Sequence, residues 1–235
     1  MTTKFDHYPQ KPNDKRVFNA YVILCNTHDA SSSFLDIFET TRKRRNAKGA
    51  STDEEQDLLR AMLTFATSGL DSMIKQLIKD TLHLVIDKDQ GATQRFRNYI
   101  EKKLMTGDQT NSKLLAKVLA DHHPRRSLIQ ELVTDLASSS LQSKEELLKV
   151  ASYFNIPSPE LTADFDLLST IFEARNQIVH EMDIDFSQTN RKRRSRTRAD
   201  MLKYTNEILR IAKIFLQKVD GKLGRHRLIP LNVSS

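Results

Sequence analysis

The sequence predicts an all-α fold, and three observations carry that prediction. Apolar residues recur with a 3.6-residue rhythm over long stretches. Gly and Pro number only six each among 235 residues, so long helices meet few breakers. There is no Trp, and the β-branched runs that mark strands are scarce. The chain is long enough for one substantial core. Hydrophobic residues make up 38% and charged residues 29%, the balance of a globular rather than a disordered chain.

Each element can be justified in order. Residues 1–13 hold two prolines and no apolar period, which predicts a flexible tail; the main domain is expected over 14–223, with a second tail over 224–235. From Asp14 to about Arg45, Val17, Ala20, Tyr21 and Leu24 form one stripe. Ser31–Ser33 are the expected point of a bend before Phe34, Leu35, Ile37 and Phe38 resume the apolar face. A basic loop over 41–51 leads to Thr52 and Glu55, the spacing of a capping box. The helix it opens is expected from Asp53 to about Lys88, with Gly69 marking a close approach or a bend. Gln90-Gly91 should end it, and a short helix should follow near Thr93–Met105.

Residues 106–160 read as an inserted subregion of short helices, punctuated by Thr106-Gly107-Asp108, Pro124, Ser138–Ser140, Pro157 and Pro159. Ser143 with Glu146 caps one of them. Asp164 to about Met182 is a strong helix, Ile184–Arg198 a polar and basic connector, and Arg198 to about Leu223 the last helix, with Gly221 and Gly224 as its stop.

Composition narrows the function classes. The single cysteine, Cys25, forms no internal disulfide and supplies no zinc site alone. The N-terminal MTTKFDHYPQKPNDKR lacks the apolar core of a signal peptide, and no run approaches the roughly 20 apolar residues that cross a bilayer. A cytoplasmic protein without membrane contact is therefore expected. The 37 Lys and Arg against 30 Asp and Glu leave a net +7, which suits a polyanionic partner. Six of these cations crowd into eight residues: Arg191, Lys192, Arg193, Arg194, Arg196 and Arg198. Their position just after the helix described next favours a phosphate-tracking RNA rim over a plain solvated loop. On that reading, replacing Arg193, Arg194 and Arg196 should weaken RNA binding and leave the fold intact.

Other signals fall away. Leu202, Leu209 and Leu216 follow the basic run at intervals of seven, but Thr205 and Ala212 make a poor zipper seam, and an amphipathic bundle helix explains the spacing better. Asp121-His122-His123 ends directly before Pro124 and reads as a helix C-terminal turn. His7, His28, His83 and His226 are scattered without ligand spacing. There is no Gly-rich phosphate loop and no Gly-x-Ser-x-Gly. No metal or other cofactor is expected.

The informative segment is Leu167–Met182. At 100° per residue, Leu168, Ile171, Phe172, Val179 and Met182 lie within about 40° of one line, and Arg175 falls on it. A guanidinium in an apolar stripe is costly unless it is paired or a ligand needs it. Asn176 and His180, four residues apart, share a neighbouring face that the long Arg175 side chain can reach. A fixed cation, an amide and an imidazole in one region suit work on a phosphodiester.

The run ARNQIVHEMD resembles the Arg-x4-His signature of HEPN domains, including the polar residue directly after the arginine. With the 59–82 helix and the trailing RADMLKYTNEILRIAKIFL, the chain from about 53 to 220 resembles the RiboL-PSP-HEPN branch. The resemblance implies an up-and-down helical bundle that forms a homodimer with two motif helices facing each other. Their composite cleft cuts RNA without metal, leaving a 2′,3′-cyclic phosphate and a 5′-hydroxyl. Arg175 is then expected to bind the scissile phosphate, His180 to carry protons, and Asn176 to orient the imidazole or a phosphate oxygen. A toxin or phage-defence setting is implied, with room for an antitoxin or other regulatory partner. The alternative is a non-catalytic HEPN module that binds RNA or a protein. Met182 stands where some toxin-type members carry a tyrosine modified by an antitoxin, so that route of control is not expected.

Overall fold

The computed structural model describes residues 5–106, 109–141 and 143–224. Helix α1 (Phe18–Arg44) follows a single 3₁₀ turn at Lys15–Val17. Asp14 caps that turn and pairs with Arg16, which holds the Asp14 carboxyl down to about 2. The expected bend at the serines is absent, and α1 runs unbroken. Ser31 and Ser32 are buried instead, on the side that meets α2, where small side chains permit close packing.

Helix α2 (Asp53–Lys88) starts with the predicted capping box: Thr52 Oγ1 accepts from the Glu55 amide at 3.3 Å, and Glu55 accepts from the Thr52 amide at 3.0 Å. The Glu55 carboxylate also holds Arg42 at 2.9 Å and Arg45 at 3.0 Å, which ties the end of α1 to the start of α2. Of the two expectations for Gly69, the close approach is the one observed. A Cβ there would lie 2.0 Å from Thr27 Oγ1 and 2.6 Å from Thr27 Cβ, so no rotamer of Thr27 could clear it.

Helix α3 (Gln90–Leu104) begins three residues before its predicted start. Gly91 does not break the helix; it gives room to Asn155, whose Cγ would be 2.3 Å from a Cβ. The true boundary is Asp89, which closes α2 and caps α3 by accepting from the Ala92 amide at 3.0 Å. It also accepts from Asn155 at 2.8 Å and Lys222 at 2.5 Å.

The 106–160 region opens with an antiparallel pair of two-residue strands, β1 (Met105–Thr106) and β2 (Gln109–Thr110). Short helices follow as expected: α4 (Ser112–Ala120), α5 (Pro124–Ser138), α6 (Lys144–Tyr153) and α7 (Ser158–Leu161). Helices α8 (Phe165–Glu181) and α9 (Arg198–Gly224) complete the bundle. Gly221 and Gly224 lie inside α9 rather than beyond it, and residues 225–235 of the predicted tail fall outside the described residues.

Helix α2 is the axis of this up-and-down bundle. It packs along α1 and α9 and also touches α3, α5 and α8. Leu59, Leu63, Leu70, Ile74 and Leu77 of α2 share one core with Ile208, Ala212 and Phe215 of α9 and with Leu168 and Ile171 of α8. No helix among the described residues is long and apolar enough to cross a membrane.

The predicted tail needs correction over residues 5–13. Phe5 is buried, and its ring meets that of His28 edge-on at 5.7 Å, with Tyr8 on the same imidazole at 4.8 Å. Asn13 and Asp14 donate their amides to Asp220 of α9 at 3.0 and 2.8 Å. An aromatic clasp and a carboxylate thus fix a segment that has no helical period to announce it.

His28 is fully buried, and burial lowers its pKa from the ordinary 6.5; Lys213 and His7 push the same way, and Asp29 opposes them. The folded state keeps this imidazole neutral while the unfolded chain takes up a proton near 6.5. Its contribution is therefore fully present above about pH 6.5 and is lost as pH falls through the unfolded value toward the depressed folded one. Thermal melts should drop as pH falls below about 6.5, and His28→Phe should flatten the drop. An equally steep pH dependence in the variant would refute this role.

Candidate functional site

Helix α8 starts where Asp164 accepts from the Leu167 amide at 2.8 Å. Leu168, Ile171, Phe172 and Ala174 are buried beneath it. The apolar stripe does not stay buried to its end: Val179 is 38% and Met182 65% exposed. Between these two regimes lie Arg175 and Asn176, both half-buried, with His180 exposed in the last turn.

The three residues converge. Arg175 Nη1 donates to Asn176 Oδ1 at 3.0 Å and lies 3.3 Å from His180 Nε2. Since a guanidinium only donates, the second contact is a hydrogen bond when Nε2 carries the lone pair, that is, in the neutral Nδ1–H tautomer. Burial lowers the Arg175 pKa from its ordinary value, with Asp71 of α2 partly opposing. Among the described residues, no carboxylate lies within 4.0 Å of this guanidinium. A groove of about 390 Å³ runs beside Asn176, walled by Phe172, Glu173 and Gln177 of α8 and by Ser143 and Lys144 at the start of α6.

The end of α8 is held by residues that the sequence reading missed. Met182 and Asp183 both take the left-handed conformation, with φ of 52° and 61°. This turns the chain sharply and directs Asp183 inward, where it is fully buried. Its carboxylate accepts from Arg60 Nε at 2.7 Å and from Arg196 Nε and Nη2 at 3.0 and 2.5 Å. Arg60, itself 2% exposed, also donates to Asp57 and to the Arg194 carbonyl. Arg196 donates to Gln177 on α8 at 2.8 Å. A signal was present: Arg60 interrupts the densest apolar face of α2, and a buried guanidinium needs an acid somewhere in the chain.

The connector between α8 and α9 folds back on itself through an isolated bridge between Ile184 and Arg193. Of the six cations expected to form an RNA rim, Arg191, Lys192 and Arg198 are exposed, and Arg198 pairs with Glu39 at 2.5 Å. The expectation that Arg193, Arg194 and Arg196 can be removed without harm to the fold needs correction. Arg193 pairs with Asp57 at 2.6 Å, Arg194 with Glu181 at 3.0 Å, and Arg196 with Asp183. These half-buried guanidiniums fasten the connector to α2 and α8, so their loss changes structure as well as charge. The Arg193 contact holds the Asp57 carboxyl below the usual carboxylate range.

An all-helical bundle that presents Arg-x4-His on the last turns of one packed helix is the arrangement of a HEPN domain. The chain belongs to the RiboL-PSP-HEPN family, whose sequence model matches residues 30–220. No curated protein and no solved structure matches it significantly.

Proposed function

We propose that this HEPN module is a metal-independent endoribonuclease whose composite site is assembled from two copies of the chain. One observation carries the reading. Arg175 is a half-buried guanidinium that holds an amide and an imidazole where every neighbouring arginine of the α2–α8–α9 junction holds a carboxylate. A desolvated cation without a counter-ion is a site for a ligand's anion. Its contact with Nε2 places that anion next to a proton acceptor.

The chemistry follows from these atoms. A phosphate oxygen takes the place of the imidazole on Arg175, which frees the Nε2 lone pair. His180 then accepts the ribose 2′-OH proton as O2′ bonds to phosphorus and the P–O5′ bond breaks. Arg175 balances the charge that builds on the phosphoryl oxygens, and Asn176 holds the guanidinium in place. The leaving O5′ needs a proton, and in a facing pair of motif helices the second copy's imidazole supplies it. The exposed Val179 and Met182 give such a pair an apolar contact around the motif. A toxin or phage-defence role fits this activity.

The test is incubation of purified protein with mixed RNA in excess EDTA, followed by analysis of the product ends. Cyclic phosphate and 5′-hydroxyl ends are expected, with DNA uncut because it has no 2′-OH. A folded, homogeneous preparation that binds RNA but leaves it whole would identify a binding module instead.

A further inference from the structure

A second groove lies away from the motif. It encloses about 740 Å³ between the C-terminal half of α2 and the turn that joins α4 to α5. Ile129 and Val133 form its floor, and Lys79, His83, His122, His123 and Arg126 stand along its walls. Its one carboxylate, Asp87, is held by Arg125 at 2.8 Å, and the Arg125 guanidinium also lies 5.5 Å from the centre of the Phe96 ring. Lys79 and Arg126 are exposed, and neither has a carboxylate within 4.0 Å among the described residues. No three His, Cys, Asp or Glu side chains among the described residues are placed to share a metal ion. The groove therefore offers cations and flat imidazole rings over an apolar floor, the combination that holds phosphates and stacks bases.

Its position relates it to the motif. On α2, Ser68, Ser72, Lys75, Lys79 and His83 lie within about 40° of one line, and none of them is buried. That strip starts beside Asp71, the carboxylate whose charge acts on Arg175. At 1.5 Å per residue, Lys79 and His83 are about 12 and 18 Å further along the helix. The strip between carries small and polar side chains, with Lys75 paired to Asp71 at 2.9 Å.

We infer that this groove binds single-stranded RNA beyond the scissile phosphate, with Lys79 and Arg126 on backbone phosphates and the histidines against bases. The assignment of the scissile phosphate rests on the ribonuclease reading above; the groove's affinity for RNA does not. The test uses 2′-O-methyl RNA of about 20 nucleotides, which 2′-OH attack cannot cut, and the Lys79→Glu/Arg126→Glu variant. Both positions are exposed, and circular dichroism checks the fold. Affinity by fluorescence anisotropy should fall about tenfold or more, and the slope of log K against log salt should shrink by about 1.4, or 0.7 for each lost phosphate contact. Cleavage of a dinucleotide, too short to reach the groove, should stay at the wild-type rate. Unchanged affinity and salt slope would overturn the inference. So would tripolyphosphate binding that the variant loses while its RNA affinity is kept, since that would mark a site for a small polyphosphate. If the groove variant loses RNA affinity while wild-type protein cuts no RNA, the ribonuclease reading fails and the groove stands.

Discussion

His180→Ala should lower RNA cleavage by about 100- to 10,000-fold, the usual contribution of one general acid–base group, with RNA binding retained. The imidazole is exposed on the last turn of α8, where its side chain meets that of Arg175. Alanine also favours a helix. The fold should therefore survive, and circular dichroism with a binding assay establishes that lost activity is lost chemistry. Arg175→Ala should abolish cleavage too, but it is the less clean experiment, because the half-buried side chain also braces Asn176. A folded His180→Ala protein that cuts RNA at the wild-type rate would end the mechanism proposed here.

The largest loss of stability should come from Asp183→Ala. Removing one member of a buried ion pair leaves the others as unpaired buried charges, at a cost of about 3–5 kcal/mol. Here Arg196 would lose its carboxylate partner, and Arg60 would keep only the half-exposed Asp57. Alanine also tolerates the left-handed conformation of this position poorly. Asp183→Asn separates the two effects, since asparagine adopts that conformation readily and removes only the charge. Urea unfolding should rank wild type above Asn and Asn above Ala. A cost under about 1 kcal/mol for alanine would mean that the cluster contributes no more than a surface ion pair.

Much of the bundle was legible in the sequence because it rests on period and caps, which are local. The Thr52/Glu55 box, the Ser143 cap and the α8 stripe up to Phe172 lie in the structure where spacing placed them. The failures are all tertiary. Ser31–Ser33 look like a break, but Ser31 and Ser32 are buried in the bundle and α1 runs through all three. Gly91 looks like a stop, but it is a point of close approach to Asn155. Residues 5–13 have no period, yet Phe5 docks on His28.

The candidate site was legible in the same partial way. Arg175, Asn176 and His180 lie within one and a half helical turns, so sequence distance reports their proximity directly. Asp183 and Arg60 are 123 residues apart, and no local pattern links them. The basic run misled for a related reason. A cation count cannot tell a guanidinium that faces solvent from one that grips a carboxylate on another helix, as Arg193, Arg194 and Arg196 do.

The Arg60–Asp183–Arg196 cluster has a consequence for the order of synthesis. Its members come from the start of α2, the end of α8 and the entry to α9, so the contact closes only after most of the chain exists. Loops that long close late, because ordering the chain between them precedes any gain from the contact. A nascent chain ending near residue 190 would already contain Arg175, Asn176 and His180, but not Arg196, which completes the grip on the turn behind them. While the protein is still emerging from the ribosome, amid the cell's densest concentration of RNA, the motif would be complete in sequence and unfinished in geometry.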